Sequence, residues 1–232
     1  MALVAIVDYG LEDLELIETA LGELGAETFP SSDPDAIVGA DGIVMWGMAG
    51  FGEAIGAIRE KGLERHLKAA IVAKKPFLGI NVGMQLLFSS GRESTRGRLG
   101  EKYVDALEIR TGSCPALPDV DSYGFDFELP HTGMAAVLRD ERCRTCLLDG
   151  VEDGQEFFYD HYFVTPTGPW VQAWSSYSIT FPAVVDFHGT CFGAQFLPEK
   201  SGEAGMQVLR NFMQACERAE EGELLLAQGP VR

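Results

Sequence analysis

At 232 residues the chain is about one and a half times a typical domain of roughly 150 residues, which favours one large core over two small ones. Hydrophobic residues at 46% and charged residues at 23% exclude wholesale disorder. With 18 Lys and Arg against 35 Asp and Glu the net charge is −17, a surface that repels phosphate backbones and anionic lipid and so argues against nucleic-acid and membrane roles.

Leu3 to Asp8 is an apolar run that predicts a buried strand delivering the Asp8-Tyr9-Gly10 loop at its carboxyl end. Leu14, Ile17, Leu21 and Leu24 recur at helical spacing, and Gly25 stops the pattern. Ile43 to Trp46 predicts a second buried strand, followed by the Gly-rich turn Gly47 to Gly52 and a helix from Glu53 to Ala73. Pro76 to Ile80 predicts a third strand, with a helix starting over Gly83 to Phe88. Strands alternating with helices imply a doubly wound, mostly parallel sheet covered on both faces, an α/β fold in three layers.

After Gly91 the texture changes to short aromatic-rich runs broken by Pro and Gly: Glu156 to Tyr159, Trp170 to Trp174, Ala183 to Phe187 and Thr190 to Phe196. These predict additional strands. Glu203 to Ala219 carries Met206, Leu209, Phe212, Met213 and Cys216 at helical spacing, a closing amphipathic helix. The expected organisation is a single domain over 1–218 and a short acidic tail over 219–232. His161 to Val185 lacks Asp, Glu, Lys and Arg, but Pro166, Pro169, Pro182 and Gln172 argue against a membrane span. Met1 to Asp8 lacks the features of a signal peptide, so a cytoplasmic protein is expected.

The five cysteines suggest reduced thiols rather than a disulfide framework. Cys143 and Cys146 have CxxC spacing, yet one pair cannot complete a tetrahedral zinc site, so neither metal nor cofactor is expected.

Ligands of an open parallel sheet bind beyond the carboxyl ends of its strands. Three segments fall there. Gly79-Ile80-Asn81-Val82-Gly83 fits either a nucleophile elbow or a tight strand-to-helix turn. Gly47 to Gly52 allows close backbone approach and can aim N–H groups at an oxyanion. Gln195 to Ser201 places Glu199 at a strand end just before the last helix, where a carboxylate taken alone reads as a solvated helix cap.

Taken with Ile6 to Gly10, Pro76 to Phe88 and Pro130-His131-Thr132-Gly133, these segments resemble the class I glutamine amidotransferases, and most of all the glutaminase subunit of imidazole glycerol phosphate synthase in histidine biosynthesis. The resemblance runs from residue 3 to about 216 and implies the flavodoxin-like class I glutaminase fold. It also implies that Asn81 stands where the family has its nucleophilic cysteine and Leu197 where it has the base histidine, while Glu199, which orients that histidine, is retained. By position, Met48 and Val82 match the oxyanion-hole donors, and Gly50, Gly52, Gln85 and Glu93 match the glutamine pocket. His131 and Lys200 match positions near the surface that docks on the (β/α)₈-barrel cyclase of the family. Trp46 and Ala49 replace a proline and a glycine of the family pattern, and Met134 an aromatic residue.

An amide nitrogen delocalised into its carbonyl does not attack glutamine, and leucine accepts no proton. Cys191 lies six residues before Leu197, roughly 20 Å along a strand, too far to substitute. Asn tolerates positive φ, so Asn81 keeps an elbow while removing its chemistry. The expectation is a glutaminase-inactive subunit that binds and activates a barrel-type cyclase. The alternatives are a sensor binding glutamine or another small amide, and a residual or altered amide hydrolase.

Overall fold

The computed structural model describes residues 2–95 and 98–227. Its centre is an eight-stranded sheet, ordered β2-β1-β3-β4-β13-β12-β11-β9. The parallel part comprises β1 (Leu3–Val7), β2 (Glu27–Ser31), β3 (Gly42–Gly47), β4 (Phe77–Asn81) and β13 (Cys191–Ala194). Beyond β13 the sheet turns antiparallel through β12 (Thr180–Phe187), β11 (Val171–Ser176) and β9 (Leu138–Arg139). Pro30 fits β2 because that strand is an edge, with only β1 to pair with.

Alternation along the central strands sends side chains to two cores. Val4, Ile6, Val44, Trp46, Leu78 and Ile80 face α1 (Glu15–Glu23) and α6 (Gly202–Ala227), where Ile17, Leu21, Leu209 and Phe212 meet them. Ala5, Val7, Ile43, Met45 and Phe77 face the opposite layer of α2 (Pro34–Gly39), α3 (Phe51–Glu60) and α4 (Glu64–Val72), with Ile37, Ile55, Ile58, Leu67 and Ile71. The three-layer architecture is thus the one the sequence predicts.

Several boundaries differ from expectation. The helix predicted over 53–73 is two helices, α3 and α4, separated at Gly62, whose φ of 68° a continuing helix does not accommodate. After β4 the helix α5 is a single turn, Val82–Gln85, because the chain turns at Leu86 into β5 (Phe88–Thr95). That strand joins β6 (Arg98–Asp105) and β7 (Arg110–Cys114) in a separate three-stranded sheet. A further pair, β8 (His131–Ala136) with β10 (Glu156–His161), forms a two-stranded antiparallel ribbon. The closing helix α6 continues to Ala227, past the predicted end at Ala219, so only residues 228–232 of the expected tail lie outside the described residues. No helix among the described residues is long and apolar enough to cross a membrane.

Candidate active site

The site lies where β1, β3, β4 and β13 end. At the end of β4, Asn81 adopts φ 54° and ψ −114°, sparsely populated backbone that costs on the order of 1–3 kcal/mol and persists only where its surroundings hold it. They do. A Cβ on Gly83 would come within 1.8 Å of the Met45 carbonyl oxygen, and one on Gly79 within 2.6 Å of the Gly83 carbonyl oxygen. Only glycines let the turn fold this tightly against β3, the geometry of an elbow rather than of an ordinary strand-to-helix turn.

The Asn81 side chain is fully engaged. Its Nδ2 donates to the Asp160 carbonyl oxygen of β10 at 2.9 Å, and its Oδ1 accepts from Gln195 Nε2 at 3.0 Å. Gln195 is itself buried and accepts from Gln85 Nε2 at 3.3 Å, while the same Gln85 nitrogen reaches the Phe163 carbonyl oxygen at 3.1 Å. Asn81, Gln85 and Gln195 thus form one buried amide network, satisfied by its own members and by backbone. Gln85, expected in the glutamine pocket, spends its amide inside this network.

Leu197 is fully buried, and its backbone N–H donates to the Phe158 carbonyl oxygen at 2.8 Å. Ser201 Oγ accepts from the Phe158 N–H at 2.9 Å and donates to the Leu197 carbonyl oxygen at 2.7 Å, clamping the strand-end segment to β10. Glu199 points back into the site, where Trp46 Nε1 donates to its Oε1 at 3.0 Å. Its Oε2 is buried without a partner among the described residues, and burial raises its pKa above the ordinary carboxylate value. The indole of Trp46 therefore serves Glu199 as its hydrogen-bond donor.

The remaining candidates divide. Val82 opens α5, directly after the elbow. Gly50 is the N-cap of α3, its N–H donating to the Glu53 carboxylate at 3.2 Å, and Gly52 lies in the first turn. Between them the Phe51 ring packs on Gly91 of β5, two residues from the exposed Glu93, so these expected pocket positions are neighbours. The Met48 N–H donates to Glu12 Oε1 at 2.8 Å and is not aimed at open space. Glu12 carried no motif in the sequence. The only available signal was an acidic residue in the loop leaving β1, at the strand ends where ligands bind.

The two expected docking positions differ in exposure. Lys200 is exposed, with Nζ 5.9 Å from the centroid of the Phe158 ring. His131 is buried, because alternation along β8 turns it inward while Thr132 and Met134 face solvent. Its ring stacks between Tyr159 and Tyr177, with centroids at 5.0 and 4.1 Å, and Nδ1 lies 3.1 Å from His161 Nε2. His161 Nδ1 faces the Phe163 carbonyl oxygen at 2.9 Å and so donates to it, which makes Nε2 the acceptor for a proton on His131. Burial lowers the pKa of His131 to about 4 and that of His161 to about 3.

Among the described residues no group of three or more His, Cys, Asp and Glu is placed to hold a metal ion, and Cys143 and Cys146 are half-buried free thiols.

Comparison with known proteins agrees with this geometry. The model of the glutamine amidotransferase class-I family matches residues 5–216. The imidazole glycerol phosphate synthase subunit HisH of Geobacillus sp. (strain WCH70) is 34% identical over 216 residues, covering 93% of this chain and 98% of that protein. The subunit of the same name from Geobacillus kaustophilus is 36% identical over 214 residues, covering 91% and 96%. Among solved structures, PurLQS from Thermotoga maritima superposes with a TM-score of 0.65 at 18% identity, covering 95% of this chain and 100% of that one. The glutaminase domain of Trypanosoma brucei CTPS with bound acivicin gives 0.64 at 13% identity, covering 94% of each chain. The elbow at Asn81 and the strand-end carboxylate Glu199 are thus set in a scaffold matched over nearly its whole length, and the chain belongs to the class I glutamine amidotransferase family as a HisH-like member.

Proposed function

We propose that this protein is a glutaminase-inactive subunit that forms a heterodimer in the cytoplasm with a barrel-type cyclase and activates it, the cyclase drawing nitrogen from free ammonia. The observation that carries this reading is the state of Asn81. The side chain at the nucleophile position is locked by two hydrogen bonds and has no electron pair suited to attack. Leu197 offers no general base, and Glu199 is engaged by Trp46. Loss of either a nucleophile or its base removes on the order of 10⁶ of turnover in a comparable hydrolase, leaving only what binding and oxyanion stabilisation supply.

The relatives are named as subunits, which supports a role in binding a second subunit. The scaffold around the dead site is intact, with elbow, strand-end segment and β10 joined by hydrogen bonds. Co-expression with a barrel cyclase is expected to yield a copurifying pair whose ammonia-dependent rate exceeds that of the cyclase alone, with ammonia release from glutamine equal to the buffer blank. A cyclase that neither copurifies nor changes rate, or ammonia released from glutamine above blank, overturns the reading.

A further inference from the structure

The loop after β3 points two successive backbone N–H groups at one place, and that place is filled. Met48 N and Ala49 N donate to Glu12 Oε1 at 2.8 and 2.6 Å, and the Tyr9 hydroxyl lies 3.0 Å from the same oxygen. Convergent amides of this kind make an anion nest, and a carboxylate is the group they suit. Tyr9 holds the arrangement from below, its hydroxyl also 3.1 Å from the Trp46 carbonyl oxygen.

The nest borders the elbow. A Cβ on Gly47 would meet the Tyr9 hydroxyl at 1.7 Å, Glu12 Oε1 at 2.8 Å and Val82 Cγ1 at 3.0 Å. The Glu12 carboxylate, the end of β3 and the first residue after Asn81 therefore converge on one glycine. An oxyanion formed at the elbow would need the Met48 amide, and that amide already serves a negative charge. A second anion arriving there would meet the Glu12 carboxylate at contact distance, a like-charge approach that strengthens as water leaves the site.

We infer that Glu12 is a built-in anion that closes the oxyanion nest of Met48 and Ala49, a determinant against amide hydrolysis separate from Asn81 and Leu197. The inference rests on the reading of the site as a disabled glutaminase, and it assigns a residue and a mechanism which that reading does not need. Removing Glu12 opens a site for a small carboxylate or oxyanion, and restoring nucleophile and base without removing it leaves hydrolysis impaired.

Two measurements on the full chain test this. In the first, sodium acetate is titrated at constant ionic strength while the amide resonances of Met48 and Ala49 are followed by NMR. Saturable shifts are expected in Glu12→Ala, weaker ones in Glu12→Gln, which keeps a neutral acceptor in the nest, and none in the parent. Unmoved Met48 and Ala49 resonances in a folded Glu12→Ala variant, or equal shifts in the parent, overturn the inference. In the second, ammonia release from glutamine is compared between Asn81→Cys/Leu197→His and the same pair with Glu12→Ala. One oxyanion donor is worth about 10²–10³ in turnover, so the triple variant is expected to exceed the double by about tenfold or more. A double variant as active as the triple sinks the role of Glu12 while leaving the inactive-subunit reading intact, whereas ammonia release by the parent sinks that reading instead. If double and triple are both silent, the acetate titration decides.

Discussion

Trp46 and Glu199, 153 residues apart in sequence, are joined by a hydrogen bond of 3.0 Å from indole to carboxylate. The bond satisfies Glu199 Oε1 and leaves Oε2 buried without a partner among the described residues, with burial the main cause of the raised pKa. A carboxyl that holds its proton more tightly folded than unfolded supports the fold below its unfolded pKa of about 4.3, and that support is lost as pH rises through the folded value. Glu199→Gln keeps an acceptor for Trp46 and removes the buried charge, so it is expected to stabilise the protein by about 1 kcal/mol at pH 8. The gain should vanish near pH 4, a comparison made by urea unfolding at both values. Trp46→Phe, which orphans Oε1 as well, is expected to cost about 1–3 kcal/mol at pH 8.

Asn81 joins β4 to β10 through the Asp160 carbonyl and to β13 through the neighbouring Gln195. Asn81→Ala orphans both partners and puts a residue less tolerant of positive φ at the elbow. A loss of about 2–4 kcal/mol is expected. Asn81→Gly loses the same bonds but relaxes the backbone, so it is expected to be less damaging by about 1 kcal/mol. Equal midpoints for the two variants in thermal unfolding would show that the elbow conformation is not strained.

The His131–His161 pair is neutral in the folded protein at pH 7, and burial keeps it so well below the ordinary histidine value of about 6.5. As pH falls below about 6.5 the unfolded chain takes up protons that the folded one refuses, so stability falls until about pH 4 for His131 and about pH 3 for His161. His131→Phe keeps the stack on Tyr159 and Tyr177 and removes one titrating group. Near pH 5 its slope of stability against pH is expected to be shallower than the parent's by about 1 kcal/mol per unit, read from unfolding midpoints. An unchanged slope would show that His131 titrates normally.

Gly83→Ala places a Cβ 1.8 Å from the Met45 carbonyl oxygen, backbone of β3, which is paired on both sides within the sheet. It is expected to cost more than about 3 kcal/mol or to abolish soluble expression. Gly56→Ala, on α3 with nothing within 4 Å of the added carbon, is the control, with an expected gain of about 0.5–1 kcal/mol. Circular dichroism melts of both variants make the comparison.

The layers were legible because burial on both faces leaves unmistakable apolar runs, as in Leu3 to Asp8 and Ile43 to Trp46. The two glycines flanking Asn81 marked a tight turn but left an elbow and an ordinary strand-to-helix turn equally open. Less visible were elements whose stability comes from tertiary contacts. Glu27–Ser31 has no apolar alternation and contains Pro30, yet pairs with β1 along its whole length. The break at Gly62 hid inside a continuous helical periodicity. The inward orientation of His131 was not legible because it depends on the register of β8 with β10, which a tetrapeptide motif does not encode. Glu12 and the Trp46–Glu199 bond were illegible for the same reason, being contacts between segments far apart in the chain.

The network around Asn81 also decides how hard the site is to turn back. Asn81→Cys alone strips the Asp160 carbonyl and the Gln195 amide of their partner. Leu197→His alone buries an imidazole two residues before Glu199, whose Oε1 is taken by Trp46 and whose Oε2 has no partner among the described residues. The first reversal therefore leaves two buried polar groups unpaired and the second buries a polar ring in place of a leucine, so each is expected to lower stability on its own.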